Sequence, residues 1–205
     1  VLGEIEWLAK NQVEGIFVTD ANFGLFDIDI EYTKHIVRMK EQYGYPKRVL
    51  IQPAKSKIEN IFAIYKLLSD AELIFHYKIA VEDINEHVLK NIDRIDFSFE
   101  EKIKMCRDLQ ANKNLPIFVE GIMGLPGSSI DTMKSDIQQI ISYGLNFPTN
   151  HVWMLLPETP AYAKEYREKF KLYTVTNKDY SSNINMPIKL KDNFTADEGV
   201  LYNVV

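Results

Sequence analysis

Five short apolar runs alternate with helical periods along most of this chain, and that alternation narrows its fold more than any other feature. The runs cover residues 15–19, 48–52, 73–81, 116–119 and 151–156. Each is rich in apolar, β-branched or aromatic residues and closes on turn chemistry. The closing segments are Asp20-Ala21-Asn22-Phe23-Gly24, Pro53, Glu82-Asp83-Ile84-Asn85, the stretch from Gly121 to Gly127, and Pro157. Between them lie amphipathic helices. Ile28, Tyr32, Ile36, Met39 and Tyr43 step by four, four, three and four, which predicts one buried stripe ended by Gly44-Tyr45-Pro46. Ile58, Ile61, Phe62, Tyr65 and Leu68 predict a second stripe, and Phe99, Ile103, Cys106 and Gln110 a third. Ile130, Met133, Ile137, Ile140 and Ile141 predict a fourth. Shorter helices are expected around residues 5–11, 88–92 and 161–169.

Such alternation implies an α/β fold with parallel strands and right-handed crossovers. An open doubly wound sheet and part of a βα barrel both satisfy it, and five strands are too few for an eight-stranded barrel. In either case the C-terminal strand ends face the ligand. Beyond residue 170 the period is weak, with short strands expected at 173–176 and 200–204. The chain therefore reads as one domain over residues 1–170 and an extension over 171–205.

The most distinctive of the turns is Val119-Glu120-Gly121-Ile122-Met123-Gly124-Leu125-Pro126-Gly127. A strand enters it and a helix leaves it. Gly124 and Gly127 admit positive φ or close approach of a ligand. Ser128 and Asp131 fit the cap and third positions of the following helix. Its glycine spacing matches neither a phosphate-binding loop nor a dinucleotide fingerprint, so spacing alone reads as a plain strand-to-helix turn.

Composition removes several classes. The net charge is −5 with no basic stripe, which argues against nucleic acid as the main partner. No apolar run spans a bilayer and no signal-peptide pattern is present, so no membrane partner is expected. The one cysteine, Cys106, forms no internal disulfide and suits a reducing cytoplasm. His35, His76, His87 and His151 lack metal-ligand spacing and read as structural. Cys106 shares a helical face with Phe99 and Ile103 and reads as core.

Asp20, Glu82 and Glu120 are candidate acid–base groups, with turn capping as the commoner role of such carboxylates. Glu120 lies inside an apolar strand, where a carboxylate needs a partner. Asn22 and Gln52 offer both donors and acceptors. Lys78 falls mid-strand, which disfavours a Schiff-base aldolase or lyase.

Four segments together resemble radical S-adenosylmethionine (SAM) enzymes of the type that carries a cobalamin-binding domain. Phe17-Val18-Thr19-Asp20-Ala21-Asn22-Phe23-Gly24 resembles that group's FTDxNFG segment. Val88-Leu89-Lys90-Asn91-Ile92-Asp93-Arg94 resembles its vLkxixR, and Glu120-Gly121-Ile122-Met123-Gly124-Leu125-Pro126-Gly127 its ExIxGLPG. Leu155-Leu156-Pro157-Glu158-Thr159-Pro160, followed by Glu165-Tyr166-Arg167-Glu168-Lys169, resembles LLPxTP…EYREKY.

The resemblance implies a partial (β/α)6 TIM-like barrel whose five runs are strands two to six. It also implies SAM, a 4Fe–4S cluster and cobalamin as cofactors of the parent enzyme. In the family three cysteines in a C-x3-C-x2-C loop hold the cluster, and they are absent here. The expectation is a piece of a longer oxidoreductase or methyltransferase, inactive alone, whose cluster- and cobalamin-binding segments lie upstream. Its substrate would be a small molecule.

By resemblance, Asp20 and Asn22 approach the amino group of SAM, Glu82 its ribose, and Arg94 a carboxylate. Gln52 and Glu120 join them as cofactor-binding candidates, Gly124 leaves room for the adenosyl group, and the backbone at Leu155 meets the adenine edge. The resemblance points to no particular catalytic residue. A metal-free α/β domain that binds a small polar ligand is the alternative.

Overall fold

The computed structural model describes residues 1–94, 97–172, 174–176 and 201–203. In chain order the elements are α1 (Leu2–Lys10), β1 (Gly15–Phe17), α2 (Ile28–Tyr43), β2 (Arg48–Leu50), α3 (Ile58–Asp70) and β3 (Tyr77–Glu82). Next come α4 (Glu86–Asn91), α5 (Phe99–Asn112), β4 (Ile117–Met123), α6 (Ile130–Ser142) and β5 (Asn146–Val152). The last are β6 (Met154–Leu155), a 3-10 turn (Pro160–Tyr162), α7 (Lys164–Lys169), β7 (Thr174–Thr176) and β8 (Leu201–Asn203). The alternation read from the sequence is therefore present, although the run read at 151–156 is split between β5 and β6, and β4 continues to Met123, past the turn expected from Gly121. β1 and β2 pair in parallel, with Phe17 opposite Leu50. β3, β4 and β5 form a second sheet in that order, and β8 lies antiparallel between β6 and β7. Tyr173, Val200 and Val204, expected in the last strands, lie outside the described residues.

The chain divides into two compact units. One comprises Val1–Val81, Ile95–Glu120 and Ile140–Pro148; the other comprises Glu82–Arg94, Gly121–Gln139 and Thr149–Val205.

The core of the first unit keeps part of the predicted stripes: Ile61, Tyr65, Leu68, Ile103 and Cys106 are buried, whereas Ile58, Phe62, Phe99 and Gln110 are half-buried. Ile61, Ile64, Tyr65 and Leu68 of α3 are buried with Ile103, Cys106 and Leu109 of α5 and with Ile117 and Val119 of β4. Each such side chain contributes about 1.5–3 kcal/mol through its burial. Tyr65 and Tyr77 meet edge to face at 5.3 Å. The Tyr65 hydroxyl donates to the Lys78 carbonyl at 2.6 Å and accepts the Lys78 N–H at 3.0 Å. Ser98 and Glu101 form a reciprocal capping box that starts α5.

Three expectations need correction. The stripe on α2 is rotated at its start: Asp29, Thr33, Ile36 and Met39 are buried, whereas Ile28 is about half exposed. The reason is a buried carboxylate. Asp29 accepts the N–H groups of Gly24 at 2.8 Å and Phe26 at 3.2 Å, which turns residue 29 inward. β3 begins at Tyr77, not residue 73; Leu73 is buried by packing, and its carbonyl accepts the Val49 N–H at 2.7 Å.

The third correction concerns α6, which starts one residue later than predicted. Ser129 caps it, exchanging hydrogen bonds with Thr132 at 2.8 and 3.2 Å, while the Ser128 hydroxyl donates to the Leu125 carbonyl. Of its predicted stripe only Ile140 is buried; Ile130 and Ile141 are exposed.

Candidate functional site

In the first unit, the polar ends of β1 and β2 are locked together. The Phe23 N–H donates to the Gln52 carbonyl at 3.0 Å, and the Ala54 N–H donates to the Phe23 carbonyl at 2.8 Å. Gly24 has φ of +99°, which suits glycine. Within this loop the Asp20 carboxylate accepts the Asn22 N–H at 2.8 Å, and both side chains are exposed. Locally, Asp20 does what a turn aspartate does.

Along β3, Tyr77, Ile79 and Val81 are buried, and Lys78 and Ala80 occupy the opposite face. In β4, Ile117 and Val119 are likewise buried while Phe118 and Glu120 face the other way. The strand period thus brings Lys78 and Glu120 together. Their Nζ and Oε1 atoms are 2.9 Å apart, and each side chain is about a quarter exposed, 23% and 24%. Lys78 Nζ also donates to Gln52 Oε1 at 3.1 Å. Glu120 has the partner its apolar strand demands. The Lys78 contribution was missed because spacing cannot show a partner forty-two residues away. Beside this row His76 stacks on Phe118, with centroids 4.7 Å apart. Burial, reinforced by the nearby Lys78 charge, lowers the His76 pKa.

In the second unit, Glu82 ends β3 with φ of +57°, a backbone state that costs a non-glycine residue about 1–3 kcal/mol. Its carboxylate is 8% exposed and lies 3.3 Å from Arg94 Nη2. Within the chain, Arg94 thus pairs with the Glu82 carboxylate. Asp83, the next residue, accepts the Asn85 N–H at 2.8 Å, and Asn85 caps α4 by accepting the His87 N–H.

Asp83 is hydrogen-bonded to Asp136 of α6. Burial, then the Asp83 charge and hydrogen bond, push Asp136 up to about 7. Two carboxyls this close share a proton, a feature the sequence reading did not find.

The glycine turn has the predicted backbone: φ is +86° at Gly124 and +90° at Gly127. A Cβ on Gly127 would lie 2.7 Å from Asn91 Nδ2. Asn91 also donates to the Pro126 carbonyl at 2.8 Å, and its own carbonyl accepts the Tyr166 hydroxyl at 2.7 Å. Leu155 is 1% exposed within β6. Asp20, Asn22, Gln52 and Glu120 thus belong to one unit, and Glu82, Arg94, Gly124 and Leu155 to the other.

Cys106 does not suit an iron–sulfur cluster. It is buried on α5, and burial pushes its thiol up to about 12, so it holds its proton. Among the described residues no three His, Cys, Asp or Glu side chains gather as a metal would require. Nor is any helix among them long and apolar enough to cross a membrane.

An α/β chain with parallel strands and polar strand ends matches the fold of solved radical SAM methyltransferases. TsrM from Kitasatospora setae, solved with tryptophan substrate and a SAM analogue, superposes with a TM-score of 0.71 at 19% identity, covering 99% of this chain and 42% of TsrM. TsrM with cobalamin and a 4Fe–4S cluster bound gives 0.70 at 17% identity, covering 99% and 40%. In sequence, the chain is 30% identical over 179 residues to the cobalamin-dependent radical SAM methyltransferase TokK of Streptomyces tokunonensis. It is equally similar, at 30% over 179 residues, to the 2-(S-pantetheinyl)-carbapenam-3-carboxylate methyltransferase of Streptantibioticus cattleyicolor. Each alignment covers 86% of this chain, which spans about a quarter, 26%, of the curated relatives it matches. No protein-family model matches the chain. The chain is thus a relative of cobalamin-dependent radical SAM methyltransferases, as the four sequence segments indicated.

Proposed function

We propose that this chain forms the cofactor-facing part of the catalytic barrel of a cobalamin-dependent radical SAM methyltransferase, with β1 to β4 and the 151–156 run as strands two to six of a partial (β/α)6 barrel. The observation that carries the reading is 30% identity, sustained over 86% of the chain, to such an enzyme. Supporting it, the family-like segments at 17–24 and 120–127 run off the carboxyl-terminal ends of β1 and β4.

In this reading Glu82 meets the ribose of SAM, Gly124 leaves room for its adenosyl group, and the Leu155 backbone meets adenine. SAM supplies the transferable methyl group. This chain's residues bind and orient, and its single buried cysteine gives a cluster no seat. TsrM was solved with tryptophan, and the carbapenam relative is named for a carboxylate, so a small carboxylate-bearing molecule is the expected acceptor.

The chain alone, after anaerobic treatment with iron and sulfide, is expected to yield no 5′-deoxyadenosine from SAM and a reductant. It should bind SAM only in the millimolar range. Turnover by the chain alone would contradict the reading. Micromolar affinity without metal would instead identify a binding domain for a small polar ligand.

A further inference from the structure

We infer that Asn91 is a positioning residue for the adenosyl site: its side-chain amide fixes which way the Pro126–Gly127 peptide faces, and with it the form of the glycine turn. This rests on the methyltransferase reading, which puts the adenosyl group at that turn. It adds a residue at a position the family-like segment over Val88 to Arg94 leaves open.

The turn has two backbone forms available to it. The Ser128 N–H donates to the Leu125 carbonyl at 3.0 Å, closing a four-residue turn with Pro126 and Gly127 at its centre. Gly127 has φ of +90°, as the third residue of a type II turn requires. Proline followed by glycine suits that form. Glycine also accepts type I, in which the central peptide plane is flipped. The turn's own residues therefore permit both, and a contact from outside decides between them.

Asn91 supplies that contact. Its Nδ2 donates to the Pro126 carbonyl at 2.8 Å, a bond that a flipped peptide would break. The amide fits because residue 127 has no side chain: a Cβ there would lie 2.7 Å from Nδ2.

Asn91 is itself held. It is the last residue of α4, so its carbonyl finds no partner within the helix, and the Tyr166 hydroxyl donates to it at 2.7 Å. A helix of six residues does not keep its place unaided. Asn91 thus ties α4, the glycine turn and α7 together, all within the second unit.

For a ligand the consequence is preorganisation. Gly124, with φ of +86°, lies on the same connection between β4 and α6. A turn locked in one form meets the adenosyl group ready shaped. A turn that samples both forms must be ordered on binding, which weakens affinity.

Nuclear Overhauser spectra of the nitrogen-15-labelled chain read the turn, because the Pro126 Hα lies nearer the Gly127 amide proton in type II than in type I. That cross-peak should be strong in the unaltered chain. Asn91→Asp cannot donate to the Pro126 carbonyl when ionised, and its carboxylate can accept the Gly127 N–H of the flipped peptide. The variant should weaken the cross-peak. It should also weaken binding of 5′-methylthioadenosine (adenosyl without an amino acid), followed at the Gly124 amide, by about three- to tenfold, the usual net effect of one hydrogen bond. Should Asn91→Asp fail to fold, Asn91→Ala reads the same two losses. A merely structural role would lower the melting temperature and leave the cross-peak and the affinity of the folded variant unchanged, and that result overturns the assignment. A Gly124 amide that ignores 5′-methylthioadenosine in the unaltered chain counts instead against the methyltransferase reading, and this assignment falls with it.

Discussion

Gly24 offers a quantitative test of how the loop bearing Asp20 and Asn22 is held. At φ of +99° an alanine is strained, and its Cβ would sit 2.5 Å from Ile61 Cδ1 and 3.2 Å from Ile64 Cδ1. The backbone penalty for a residue with a Cβ is about 1–2 kcal/mol. Forcing a methyl into a filled core adds about 1–3 kcal/mol. Gly24→Ala should therefore cost roughly 2–5 kcal/mol. Ile61→Val removes the atom in conflict and alone costs about 0.5–1.5 kcal/mol. The double variant should cost less than the sum of the two by about 1–2 kcal/mol, because the 2.5 Å clash disappears while the backbone strain and the tight Ile64 contact remain. Urea unfolding followed by circular dichroism measures all three. Additivity within about 0.3 kcal/mol, or a Gly24→Ala cost below about 0.5 kcal/mol, would refute the packing argument.

Two further outcomes follow from the second unit. The Asp136 pKa is raised in the folded state, so the folded protein binds more protons than the unfolded chain between pH 4 and 7. Its stabilising contribution is therefore full at acidic pH, is lost as pH climbs through about 7, and is flat above. Because the group is partly open to solvent, the loss should be about 1–2 kcal/mol, well short of the full linkage value. Asp136→Asn should flatten the melting temperature between pH 5 and 8, and an unchanged slope would contradict the shared proton. Separately, Arg94→Met leaves the buried Glu82 carboxylate without its guanidinium and should cost about 3–5 kcal/mol, with Glu82→Gln costing less. Equal or negligible losses in chemical denaturation would show that the pair is not what holds Glu82.

The sequence carried the order of strands and helices because each apolar run and helical stripe is a local, periodic signal. It carried the αL glycines at 44, 124 and 127 for the same reason, since their need for positive φ is met within a few residues. What it did not carry were partners. Glu120 in an apolar strand announced that it needed a countercharge, but only the β3–β4 pairing shows that Lys78 provides it. Asp83 and Asp136 are fifty-three residues apart, and no pattern links them. The stripe on α6 marked an apolar face correctly; periodicity names a face without saying what covers it, and Ile130 and Ile141 stand exposed. Between Ser128 and Ser129, two equally good caps in a row, only hydrogen-bond geometry decides.

The central claim is that an adenosyl group sits at the carboxyl-terminal ends of these strands. Nitrogen-15 NMR of the chain titrated with 5′-methylthioadenosine tests it residue by residue. Amide shifts are expected to gather at Glu82, Gly121, Gly124 and Leu155. Shifts gathered instead at the strand starts, Gly15, Arg48, Tyr77 and Ile117, or spectra that do not move at all, would contradict it.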